Sequence, residues 1–159
     1  MLLRAARALA PEDTEVEIYN RVDDLPNFNP DIEFDALEAV ADLKAKVDSA
    51  DGLILSSPEY AHGVPGSFKN ALDWLVGGPE FYEKPVIFFN VVDRATYAQA
   101  SLREVVKTMS GKIIEEACCD FPPLIKQMNV DTFQTHPELS KQLKATLVTF
   151  AAALSRDSS

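Results

Sequence analysis

Apolar residues recur along this chain with two periods, and the alternation between them predicts the layout. Residues 86–92, Val-Ile-Phe-Phe-Asn-Val-Val, form a near-continuous apolar run, the pattern of a strand buried on both faces of a parallel sheet. A shorter run of the same kind, Gly52 to Leu55, predicts a strand over 52–56. Between them Phe68, Ala71, Leu72 and Leu75 fall at i, i+3, i+4 and i+7, predicting a helix over about 66–76 with one face on a sheet. Residues 1–10 read as a short helix stopped by Pro11. Val16, Ile18 and Tyr19 read as a short strand, and residues 20–31 as a loop broken by prolines and asparagines. Asp35 with Glu38 three residues later has capping-box spacing and predicts a helix to about Ser49, with Ala36, Val40, Leu43 and Val47 buried. Leu102, Val105, Val106 and Met109 predict a further helix closed by Gly111, followed by a last strand in 113–121. Thr135 and Glu138 have capping-box spacing too, with Pro137 in the first turn, and predict a terminal helix burying Leu139, Leu143, Leu147, Phe150 and Leu154. Strands alternating with helices predict an α/β fold with a largely parallel sheet.

Composition narrows the class. At 159 residues, 47% apolar and 25% charged, the chain reads as one globular domain, residues 1–159, able to bury a core. The net charge of -10 argues against nucleic acid or an anionic membrane surface as a partner. No apolar run approaches the ~20 residues of a membrane span. The opening Met-Leu-Leu-Arg lacks the form of a secretory signal, so a cytoplasmic location is expected. Cys118 and Cys119 are sequence neighbours that point to opposite faces of a strand, which disfavours a mutual disulfide. With two histidines in the chain, a Cys/His metal site is not expected.

The chemistry concentrates between the strand at 52–56 and the helix after it, in the loop carrying Pro58, Glu59, Tyr60, His62, Gly63, Pro65 and Gly66. Loops of this kind leave the carboxyl end of a parallel strand, where open α/β sheets bind ligands. The prolines restrict the backbone, and the glycines permit close approach and unusual dihedrals. Tyr60 offers a flat face with a polar tip. Such a loop is equally well a tight connection with no ligand.

As a string, Ser57-Pro58-Glu59-Tyr60, then Pro65-Gly66-Ser67-Phe68-Lys69-Asn70-Ala71-Leu72-Asp73-Trp74, resembles the NADPH-dependent FMN reductase family of flavodoxin-like proteins. Ala98-Gln99-Ala100-Ser101-Leu102-Arg103-Glu104 resembles the start of that family's next helix. The resemblance implies a flavodoxin-like three-layer sandwich with a parallel sheet, and an NAD(P)H-dependent FMN reductase-type oxidoreductase. Electrons would pass through bound FMN to flavin, quinone, azo or metal-ion acceptors. It places Pro58, Glu59, Tyr60, Ala61, His62 and Gly63 along the flavin edge, with Asp93 and Arg94 reaching the ring or the nicotinamide phosphate from the next loop. Neither a dedicated catalytic side chain nor a metal is expected. Glu59 is also read as an acceptor for amides of its own loop, Lys69 and Asn70 as loop anchors, and Trp74 as core or interface. A small-molecule electron acceptor and a homodimer or homotetramer are the expected partners, with Trp74, Phe81 and Tyr82 as candidate contacts.

Three departures from the family pattern stand out. Ala61 replaces a common asparagine, and Val92-Asp93 replaces Ser-Pro before the arginine. Residues 1–10 do not match the family's Gly-Ser-Leu-Arg-type phosphate loop, so the fold is expected to be N-terminally incomplete, without its first strand. An upstream start, a short variant whose sheet is completed by a partner chain or repaired without the strand, and a paralogue that no longer binds flavin all fit that expectation. A flavin-binding electron carrier and a non-catalytic assembly protein are the alternative functions.

Overall fold

The computed structural model describes residues 1–33, 37–91 and 96–157. Helix α1 (Leu2–Ala8) is made of leucine, alanine and arginine, strong helix formers, and α2 spans Glu38–Ser49. Strand β1 (Leu53–Leu55) leads into α3 (Gly66–Leu75), β2 (Pro85–Val91) and α4 (Tyr97–Thr108). Strands β3 (Lys112–Ile113) and β4 (Cys119–Phe121) precede α5 (Val130–Thr135) and α6 (Pro137–Asp157).

All pairings are parallel, with β2 at the centre. Leu53 pairs with Val86 and Leu55 with Phe88 on one side. β3 pairs with the start of β2 and β4 with its end. The predicted last strand is therefore split: a 3-10 turn at Glu115–Ala117 takes up a three-residue shift in register between its halves. Arg103 of α4 fixes that turn by donating two hydrogen bonds of 2.7 Å to the Glu115 carboxylate, while lying 4.9 Å over the Phe88 ring.

Successive β2 side chains enter two different cores, as the unbroken apolar run requires. Ile87 and Phe89 pack with α1, α5 and α6 on one face. Val86 and Phe88 pack with α2, α3 and α4 on the other. The result is a three-layer α/β sandwich. Gly52 lets α6 close over the entry to β1, since a Cβ there would stand 2.6 Å from Phe150 and 2.8 Å from Leu154. On the opposite face Lys44 and Glu80 form a nearly buried ion pair at 2.9 Å.

Several expectations need correction. The predicted strand at 16–19 does not form. Thr14 to Ile18 alternates half-buried and exposed residues as a strand would, but no described strand lies beside it, and a strand exists only through its ladder. Side chains tether this stretch to α2 instead: Glu17 to Lys46 at 2.7 Å, Arg21 to Asp42 at 3.3 Å, and the Tyr19 hydroxyl donating to the Ala39 carbonyl at 3.4 Å. Thr135 does not cap α6; it ends α5, its hydroxyl donating back to the Asp131 carbonyl. His136 takes the capping place, its Nδ1 accepting from the Leu139 amide at 3.4 Å. A capping box that composition did not signal, Asn129 with Thr132, opens α5. The proposed Asp35 cap lies outside the described residues.

Candidate functional site

The parallel sheet brings the carboxyl ends of β1, β2 and β4 to one rim. From β1 the chain runs through Ser56-Ser57-Pro58 to a two-residue turn. Tyr60 and Gly63 close it with reciprocal hydrogen bonds: the Tyr60 amide donates to the Gly63 carbonyl at 3.1 Å, and the Gly63 amide to the Tyr60 carbonyl at 2.9 Å. Ala61 and His62 occupy its centre with φ of 48° and 59°, the left-handed pair of a type I′ turn, where Asn-Gly is the usual choice. Here the expected division of labour is reversed. Gly63 and Gly66 adopt no left-handed dihedral and have room for a Cβ, so the two unusual conformations fall on residues that carry side chains. Each costs of order 1–3 kcal/mol and persists only where its surroundings impose it.

Two contacts join the turn to the neighbouring helix. The Glu59 carboxylate accepts the Ala98 amide in the first turn of α4 at 2.8 Å, so it braces the next element rather than its own loop. A carboxylate there satisfies an otherwise unpaired helix amide and complements the helix dipole. The His62 ring stacks on Tyr97, centroids 4.4 Å apart and planes within 20°. Tyr60 is left 67% exposed and Tyr97 58%, so the turn presents aromatic surface to solvent at the rim. Ala61 and Pro58 are exposed beside them. Asp93 and Arg94 lie outside the described residues.

Lys69, Asn70 and Trp74 serve the scaffold. Lys69 pairs with Asp73 one turn along α3. Asn70 accepts from the Phe28 amide at 2.8 Å and donates to the Pro26 carbonyl at 2.9 Å. The Trp74 indole donates to the same carbonyl at 2.8 Å, and its ring meets the edge of Phe28. Trp74 and Phe81 are buried and Tyr82 is exposed, so of the three contact residues expected for an oligomer only Tyr82 has a free surface. Sequence reasoning missed Tyr97, whose signal was an exposed aromatic opening a helix, and the Asn90–Asp120 hydrogen bond of 3.1 Å across β2 and β4. A shallow concavity formed by Arg7 and residues 12–16 draws nothing from this rim. The Cys118 and Cys119 thiols are pushed above the usual thiol value by burial, and both are free.

The α/β sandwich has a flavodoxin-like fold, with an exposed aromatic loop at the carboxyl end of a parallel strand. The chain belongs to the NADPH-dependent FMN reductase family, whose pattern matches residues 1–119; that family implies the use of FMN and NAD(P)H. It is 41% identical over 98 residues to an NADPH azoreductase of Bacillus sp. (strain OY1-2), covering 61% of this chain and 54% of the relative. It is 33% identical over 94 residues to a quinone reductase of Escherichia coli (strain K12), covering 55% of this chain and 48% of that protein. The chain thus spans about half the length of the curated relatives it matches. In structure it is similar to FerB, a flavoenzyme NAD(P)H:(acceptor) oxidoreductase from Paracoccus denitrificans. The TM-score is 0.78 at 24% identity, covering 98% of this chain and 88% of that one, and the likeness is one of fold. Among the described residues no helix is long and apolar enough to cross a membrane.

Proposed function

We propose that this chain carries the ring-side half of an FMN site in an NAD(P)H-dependent oxidoreductase acting on small acceptors such as quinones or azo compounds. The observation that carries the reading is the turn at 60–63, held in a strained conformation with Tyr60 exposed at the carboxyl rim. The donor set fits a flavin. Pro58 has no N–H and the Tyr60 and Gly63 amides close the turn, so the backbone amides of Glu59, Ala61 and His62 are the proposed donors beside an aromatic face, which is what an isoalloxazine edge requires. Asp93 and Arg94, which lie between β2 and α4 in sequence, are proposed to complete the site. Bound FMN supplies hydride acceptance from NAD(P)H and electron transfer to the acceptor. The chain's own work is to orient the ring and shield one side of it. We further propose a cytoplasmic homodimer or homotetramer with Tyr82 at a subunit contact.

The test is titration of the purified full chain with FMN, followed by quenching of flavin fluorescence, then NADPH oxidation with an artificial acceptor. Saturable quenching is expected, with Tyr60→Ala weakening affinity about tenfold through loss of the aromatic contact. A chain that leaves flavin fluorescence unchanged overturns the reading. FMN binding without NADPH oxidation makes the chain an electron carrier instead.

A further inference from the structure

We propose that Glu59 is a positioning residue, one half of a two-point clamp that couples the turn at 60–63 to helix α4 and so fixes Tyr60 at the rim. Its importance for a ligand rests on the FMN reading above; the clamp itself does not. Three observations converge on it. The Glu59 carboxylate reaches out of its own loop to the Ala98 amide, a residue 39 positions on. His62, three residues after Glu59, stacks on Tyr97, the residue before Ala98. The two contacts thus join the same pair of elements side by side. Between them sit Ala61 and His62, whose left-handed dihedrals relax unless held.

A charge-assisted hydrogen bond to a helix amide is the stronger of the two points. It acts on the loop and on the helix together. The Glu59 carboxylate thereby orients the site through its neighbours and not by its own contact with a ligand, unlike the side-chain ring-edge contact that the family resemblance implies.

Hydrogen exchange on the apo full chain reads the clamp without any cofactor. The Tyr60 and Gly63 amides close the turn, and Glu59→Ala is expected to speed their exchange about tenfold or more, leaving Ile87 and Phe89 of β2 unchanged. Tyr97→Ala is expected to act in the same direction, and Tyr97→Phe to keep the stack. Glu59→Gln, which retains an acceptor oxygen, is expected to recover most of the protection. Unchanged exchange at Tyr60 and Gly63 in Glu59→Ala overturns the proposal, as does an equal rise throughout the sheet, which is loss of stability and not of a local coupling. FMN titration separates the two readings. If the unaltered chain binds FMN, Glu59→Ala should bind it about tenfold more weakly, and equal affinity overturns the positioning role. If the unaltered chain does not quench flavin, the proposed function fails while the exchange data still decide the clamp.

Discussion

Strand β2 is flanked by two neighbours built in different ways. Toward the end of the chain it pairs with Cys119–Phe121, whose inward residues are 7% and 1% exposed, and α6 lies across that flank. Toward the start it pairs with Leu53–Leu55, three residues all half-buried, and among the described residues no strand lines the far edge of β1. The candidate loop grows from this lightly covered strand. Ligand-binding segments are commonly drawn from the less stable parts of a fold, and here the buried flank holds the register while the open flank carries the candidate site. The strained turn then needs bracing from α4, because β1 alone does not supply it.

The largest effects should expose that contrast. Phe89→Ala removes a ring buried between α1, α5 and α6 and is expected to cost about 3–5 kcal/mol in urea unfolding. Ile54→Ala, on half-buried β1, should cost about 1–2 kcal/mol. Equal costs would break the comparison and mean that the far edge of β1 is covered in solution. Lys44→Met leaves Glu80 nearly buried without its cation and is expected to cost about 3 kcal/mol. Lys44→Met with Glu80→Leu should recover much of that, since the desolvated charge is then gone.

What the sequence made legible follows the same division. Residues 86–92 declared a strand covered on both faces, and β2 is that strand, with Val86 to Phe89 buried. The i, i+3, i+4 pattern of Phe68, Ala71, Leu72 and Leu75 placed α3 within a residue or so of Gly66–Leu75. These elements are fixed by burial, which leaves a period in the sequence. Residues 16–19 misled because alternation reports only a half-buried surface; forming a strand also takes a neighbour to bond. Thr135 misled because capping-box spacing does not say which of two adjacent helices the residue serves. At the site, the loop and its residues were visible as residue types. The reach of Glu59 to Ala98 was not, because it depends on how the loop after β1 meets the first turn of α4 at the rim.

Smaller effects sharpen the picture at the turn. Ala61→Gly removes the left-handed penalty on an exposed residue and is expected to stabilise the chain by about 1 kcal/mol. The gain should appear as a higher unfolding midpoint. No gain would mean that Ala61 is not left-handed in solution, and the strain argument for the clamp would fall with it. On the tethered N-terminal stretch, Glu17→Gln breaks an exposed pair with Lys46 and should leave the unfolding midpoint unmoved, since such pairs are screened by water and salt.

The pH dependence tests how tightly the other flank is closed. Burial holds the Cys118 and Cys119 thiols protonated beyond their usual value of 9.0, so the folded chain keeps protons that the unfolded chain releases. Their contribution is complete below the ordinary thiol value and is lost as the pH rises from there through the raised values of the folded chain. Urea midpoints should therefore fall as the pH rises above 9.0, and Cys118→Ala with Cys119→Ala should flatten that fall. The thiols should also react slowly with alkylating reagents at neutral pH, because little thiolate is present. Rapid alkylation of Cys119 in the folded chain would mean that β4 opens readily. The two flanks of β2 would then differ in cover but not in stability, and the turn at 60–63 would owe its exposure to local strain alone.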